Sequence, residues 1–298
     1  MTLGKILLGV LIVVFLALSC PVNAQDQDDD SKEIKAQVFV NSRPRKKSGS
    51  TAKYRRVSRT STKGMELLAK DSSMAQIGLT IWRFRPTQPT DKTKELLVEE
   101  DEKPAEFTLE RVEEGISLAP GQRIRLSLES LSRDGYLYVI DREEYADGTL
   151  GDPVLVFPNQ KSAAANYVRA GRLVYLPSST GRFRIQPSAS AKEHVAEVLT
   201  VIVAPKPLIN ADKLGAKSTR LERNQVEDWL KQWETSVIKF EMNGGAGQAM
   251  TPVEQSAAQQ NSVLLTQEDP APQTVFQVAA KPGSPLLITV PLKFAKRN

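Results

Sequence analysis

The chain has 298 residues, with 40 lysines and arginines against 35 carboxylates, a formal net charge of +5 and 40% apolar residues. Such a chain can bury one good-sized core with appendages, or two small ones. A single cysteine, Cys20, and a single histidine, His194, exclude disulfide frameworks, cysteine zinc ribbons and the two-histidine H-E-x-x-H zinc site.

At the N-terminus Lys5 precedes an apolar run from Ile6 to Leu18 and a small-residue exit, "SCPVNAQ". That is the plan of a secretory signal peptide over residues 1–24. The run is too short to cross a hydrocarbon layer that asks for about 20 apolar residues. Two processing sites compete. Val22 and Ala24 suit cleavage before Gln25, whereas "LALSC" resembles a loose bacterial lipobox ending at Cys20, with Ala17 where leucine is usual. The expected location is extracytoplasmic: periplasmic, secreted, or lipid-anchored to the cell envelope. Membrane attachment follows only if Cys20 is lipidated.

Within residues 25–65, the block 41–64 carries Arg43, Arg45, Lys46, Lys47, Lys53, Arg55, Arg56, Arg59 and Lys63 with no acidic residue among them, after the acidic start "DQDDDSKE". A self-repelling block with few apolar residues is expected to be a disordered basic arm. Export sets nucleic acid aside as its partner. An anionic envelope surface is the alternative to a solvated linker, each cation near the headgroups contributing about 1 kcal/mol at best.

From Ile77 the hydrophobic period is two, in "IGLTIWRFRP" and then in "QRIRLSLESL", where Ile124, Leu126 and Leu128 alternate with Arg123, Arg125 and Ser127. "GYLYVID", "PVLVFPN", "RLVYLP", "RFRIQP" and "EVLTVIVAP" follow at short intervals. Proline closes these segments at Pro86, Pro158, Pro177, Pro187 and Pro205, because it cannot donate to a ladder. Seven short strands predict a mainly β fold, an Ig-like antiparallel β-sandwich over residues 66–208.

Residues 209–298 are expected to pack back on that sandwich. "RLERNQVEDWLKQWE" predicts an amphipathic helix with Leu221, Val226, Trp229, Leu230 and Trp233 on its buried face. "EMNGGAGQAMTPVEQSAAQQNS" reads as a mobile loop. The alternation of Leu286, Ile288, Val290, Leu292 and Phe294 around "KPGS" predicts a terminal β-hairpin that joins the main sheet.

Together "IGLTIWRFRP", "RDGYLYVIDRE", "LVFPN", "RAGRLVYLP" and "EVLTVIVAPKPL" resemble a bacterial family known as domain of unknown function 4384, over about residues 77–208. The resemblance implies an extracytoplasmic or multidomain accessory module. It offers no agreed catalytic residues to carry over.

Candidate chemistry concentrates in "RDGYLYVIDREEYADGTLGDPVLVFPN", residues 133–159. Alternation puts Tyr136, Tyr138 and Ile140 on one strand face and Leu137 and Val139 on the other, so the carboxylates beyond them are expected in connecting loops. Asp141, Glu143, Asp147 and Asp152 are calcium candidates by oxygen chemistry, without the D-x-[DN]-x-[DN]-G register of an EF-hand loop. Glycoside hydrolysis would need two carboxylates roughly 5–10 Å apart, a separation that spacing does not fix. His194 has no G-x-S-x-G serine elbow and no cysteine partner, and reads as a surface or strand-edge residue. No phosphate-cradling or dinucleotide-binding glycine loop is present, so no catalytic residue and no cofactor is expected.

The function these residues favour is an exported, non-enzymatic binding or scaffolding module of the cell envelope, with a protein, a glycan or an anionic surface as partner. Loop tips are its expected contacts, at Tyr145 and around Asn159 and Tyr167. The alternative is a calcium-dependent or carboxylate-based carbohydrate-active protein using Asp141, Glu143, Asp147 and Asp152.

Overall fold

The computed structural model describes residues 43, 54–60, 73–98, 103–130, 133–188, 192–259 and 265–295. The leader and Cys20 lie outside the described residues, as does most of the segment 25–65. The described chain is mainly β. Its strands are β1 (Tyr54–Thr60), β2 (Ser73–Pro86), β3 (Glu95–Leu97), β4 (Ala105–Val112), β5 (Arg123–Ser130), β6 (Gly135–Tyr145), β7 (Val154–Phe157), β8 (Tyr167–Val168), β9 (Arg172–Leu176), β10 (Phe183–Arg184), β11 (His194–Ala204), β12 (Thr219–Arg220), β13 (Val237–Met242), β14 (Thr274–Ala280) and β15 (Leu286–Lys293). Two helices accompany them, α1 (Arg223–Trp233) and α2 (Pro252–Gln259).

Two antiparallel sheets form a sandwich. In the first, the long strand β2 pairs along one edge with β14 and then β4, and along the other with β5. β13 and β1 extend the β14 side, β3 adds to β4, and β9 and β10 add to β5. The second sheet runs β12-β7-β6-β11-β15, with β8 beside the start of β6. β11 lies between β6 and β15, in register with β6 from Ala204–Tyr136 to His194–Tyr145 and with β15 on its other side.

Alternation along these strands builds the core. Ile77, Leu79 and Ile81 of β2 and Ile124, Leu126 and Leu128 of β5 meet Leu137 and Val139 of β6, Leu199, Val201 and Val203 of β11, and Leu286, Ile288 and Val290 of β15. Each such side chain contributes about 1.5–3 kcal/mol when fully buried. The opposite face of β6, with Tyr138 and Ile140, packs under α1 through Val226, Trp229 and Leu230. The stacked pair Trp229–Trp233, with ring centroids 5.6 Å apart, belongs to this packing as the helix pattern predicts.

The outer face of the first sheet is covered too, by β3, the segment 243–250, α2 and the segment 265–271. Arg125 and Ser127, which alternation along β5 turns away from the core, are buried rather than solvated. Arg125 makes a two-pronged contact with Glu95 at 2.7 and 2.8 Å and lies over the Phe84 ring. Arg111 lies over Trp82, donates to Glu254 of α2 and, at 2.6 Å, to the carbonyl of Ala271. Trp82 Nε1 donates to Ser127 Oγ at 3.0 Å.

Several expectations are corrected by this architecture. The described chain has fifteen strands where nine were expected, seven in the sandwich and two in the terminal hairpin, because long-range pairing recruits short segments with little pattern of their own, such as β8 and β12. Two pieces of the expected basic arm are ordered. β1 pairs with β13, and Arg43 is buried on Glu129 at 2.6 Å, donating also to the carbonyls of Asp269 and Pro270. The expected terminal hairpin is not one, since β14 lies in the first sheet and β15 in the second, so the turn near Gly283 crosses the sandwich. β13, β14 and β15 are therefore strands of the two sheets of the sandwich. The expected mobile loop contains α2, held by Glu254, which accepts from Thr251 N and Oγ1.

Removing one member of a dry ion pair leaves the other charged and unsatisfied, at a cost of about 3–5 kcal/mol. Glu254→Gln is therefore expected to lower stability by about 3 kcal/mol in urea denaturation, and the double variant with Arg111→Met to recover part of the loss.

Candidate functional site

The length of β6 decides where the carboxylates of residues 133–159 lie. Because β11 pairs with it to the end, β6 runs on to Tyr145. Asp141 and Glu143 are thus strand residues in phase with Leu137 and Val139, on the face turned toward the other sheet, and not loop carboxylates as expected. Asp147 and Asp152 lie beyond, in and after the turn that Gly148 closes at a φ of 77°. There Gly148 N donates to the Tyr145 carbonyl at 2.8 Å. A left-handed residue is what this tight connection requires.

Beside the turn is a shallow groove of about 340 Å³, lined by Tyr145, Thr149, Leu150, Gly151, Asp152, Lys192 and Arg223. Its charges are fixed by one another. Asp147 accepts from Thr149 N at 2.9 Å and Thr149 Oγ1 at 2.6 Å, and pairs with Lys192 at 2.9 Å. These contacts hold the Asp147 carboxyl well below the usual carboxylate range, Thr149 contributing most. Lys192 lies 5.4 Å from the Tyr145 ring centroid. Asp152 pairs with Arg223 at 2.8 Å and Arg220 at 3.3 Å. Tyr145 Oη donates to Glu143 at 2.5 Å, which pushes the phenol pKa up.

Behind the groove, inside the sandwich mouth, Asp141 meets Glu197 of β11. Glu197 faces Glu143 across the ladder and Asp141 faces Leu199, so Asp141 and Glu197 are diagonal neighbours on one face. Burial pushes both carboxyls up. Each is raised further by a neighbouring carboxylate, and a hydrogen bond between the two favours the form in which Glu197 keeps the proton and Asp141 is ionised. Asp141 Oδ1 and Glu197 Oε2 are enclosed without hydrogen-bond partners. The pair closes one end of an apolar cavity of about 140 Å³ lined by residues such as Ile124, Val139, Leu199, Leu292 and Phe294.

His194 is buried beside them, not at the surface. Its Nδ1 accepts from Ser188 N at 3.0 Å, which leaves the ring proton on Nε2, 3.0 Å from the Ala196 carbonyl. The ring packs edge-on against Phe294 and sits 3.5 Å from Glu197.

These distances bear on the chemistry. The hydrogen bond that couples Asp141 and Glu197 brings these two carboxyls closer than the separation of about 5 Å or more that holds a glycosidic bond between a carboxyl pair. The four calcium candidates divide between two places, Asp141 and Glu143 on the inner face of β6 and Asp147 and Asp152 on lysine and arginine partners. Among the described residues no group of three or more His, Cys, Asp or Glu side chains is arranged to hold a metal ion.

The expected contact surface also divides. Tyr167 is on β8, opposite Tyr136, with the two rings 5.0 Å apart edge to face and Tyr167 44% exposed. Tyr136 and Tyr145 lie at opposite ends of β6, roughly 30 Å apart at strand rise. Asn159 caps its own turn, its Oδ1 accepting from Lys161 N and Ser162 N at 3.1 Å. Glu197 was not among the sequence candidates, although the alternation Glu197, Leu199, Val201, Val203 puts an acid on an apolar face. That mismatch was the available signal.

No family model matches the chain, and neither the curated proteins nor the solved structures contain a match.

The raised carboxyls set a pH dependence. The folded state binds more protons than an unfolded chain whose carboxyls titrate near pH 4, so this contribution to stability is complete below about pH 4. It is lost as pH rises through the folded values, about 6 for Asp141 and about 9 for Glu197. Thermal melts from pH 4 to 9 should show that decline, and Glu197→Gln should flatten it. Calcium added in millimolar excess over chelator should leave the melting temperature unchanged, whereas a site filled a hundredfold above its Kd would add about 2.7 kcal/mol.

Proposed function

We propose that this chain is an exported, non-enzymatic binding or scaffolding module of the bacterial cell envelope, which engages its partner at the Tyr145 end of the sandwich. The observation that carries this reading is the groove itself. An aromatic ring and two charges of each sign stand on a rigid sheet end, already held in position by one another. A pre-ordered polar surface loses little entropy on binding. Its mixed charge favours a glycan or a protein over a uniformly anionic surface.

Export is supported by the leader over residues 1–24 and extends to a lipid-anchored form through Cys20. The resemblance of residues 77–208 to domain of unknown function 4384 forms part of the same reading, as an accessory module acting beside other envelope proteins.

Glycan arrays and crosslinked envelope pull-downs with the purified protein test the reading. Tyr145→Ala is expected to weaken capture at least tenfold, as loss of a central aromatic anchor does, with the melting temperature little changed. Capture that Tyr145→Ala and Arg223→Ala both leave intact would overturn it.

A further inference from the structure

A second cleft, of about 420 Å³, lies between the end of α1, β13, β14 and the edge strand β15. Small-ligand sites fall at about 300–1,000 Å³. Leu230, Val237, Phe276, Leu287 and Ile288 supply apolar walls, and Arg142 reaches it from β6.

Arg142 is in phase with Tyr138 and Ile140, on the face of the second sheet covered by α1 and opposite to Glu143 and Tyr145. It is 8% exposed, and its Nε is enclosed with no hydrogen-bond partner. The other arginines buried among the described residues behave differently. Arg43, Arg111 and Arg125 each hold a carboxylate, Glu129, Glu254 and Glu95 in turn. Burial lowers the Arg142 pKa, Arg223 lowers it further, and Glu227 acts against both. Thr200, opposite Ile140 on β11 and on the same face, also has an enclosed hydroxyl without a partner. A largely buried guanidinium with an unused Nε donor, lining a cleft and holding no carboxylate, is an anion site in chemical terms.

The walls narrow the class of anion. Lys239 and Glu114 neutralise each other, and Glu234 adds a negative charge at the rim. A dianionic phosphate would be repelled there, whereas a carboxylate needs one cation and matches the guanidinium fork with two parallel bonds. We propose that this cleft binds a small monocarboxylate with an apolar tail, the carboxylate on Arg142 and the tail against Leu230, Leu287 and Phe276. The cleft shares no lining residue with the Tyr145 groove.

Calorimetric titration of the purified protein with octanoate, with octanol and octylamine as controls, tests the proposal. Octanoate is expected to bind and the two controls to bind at least tenfold more weakly, the difference of one charge-assisted fork. Arg142→Met should cost octanoate at least tenfold, and Glu234→Gln, at an exposed position, should tighten it about twofold. If Arg142→Met does not fold, the octanol comparison and Glu234→Gln decide. Absence of octanoate binding, equal binding of octanol, or an affinity unchanged in folded Arg142→Met would overturn the proposal.

Discussion

Both sheets of this sandwich are covered over much of their outer faces as well as their inner ones, and that constraint governs the rest of the molecule. A sandwich sheet ordinarily turns one face to water, so its alternate residues can be charged at no cost. Here the outer face of the first sheet is covered by the chain's own segments, and every charge on it has to be compensated. Arg43, Arg111 and Arg125 are answered by Glu129, Glu254 and Glu95, and two of the guanidiniums lie on the rings of Trp82 and Phe84.

Such pairs add little net stability, because desolvation costs several kcal/mol per ion and is repaid only by good geometry. Their effect here is on register. The partners are 86, 143 and 30 residues apart in the chain, so each pair joins segments whose apolar residues alone would accept several placements. The ordered fragment at Arg43, the helix α2 and the edge strand β3 each enter the fold through one of these contacts.

The second sheet breaks the rule at two points, on opposite faces of β6. On the inner face Asp141 and Glu197 resolve their repulsion by keeping a proton, and on the outer face Arg142 has an enclosed donor without a partner. Buried titratable groups and unused charged donors of this kind are candidates for a protein's chemistry. Beside them the Tyr145 turn is the opposite case, a solvated surface whose charges are paired among themselves.

The sequence by itself determined the class of fold. Period-two alternation assigned the faces of β5, β6 and β15 correctly, proline marked the ends of β2, β7, β9 and β11, and the 3.6-residue period found α1, because these signals come from local geometry. It also placed Asp147 and Asp152 in a connecting loop beyond the strand. Only the tertiary structure decided that Arg125 is buried, that β14 and β15 part to different sheets, that Asp141 meets Glu197 and that Arg142 lines a cleft. Those outcomes depend on which distant segment covers a given face. Alternation says only that a residue points away from its neighbours, and whether water, a helix or a counter-charge waits there is set by contacts far along the chain.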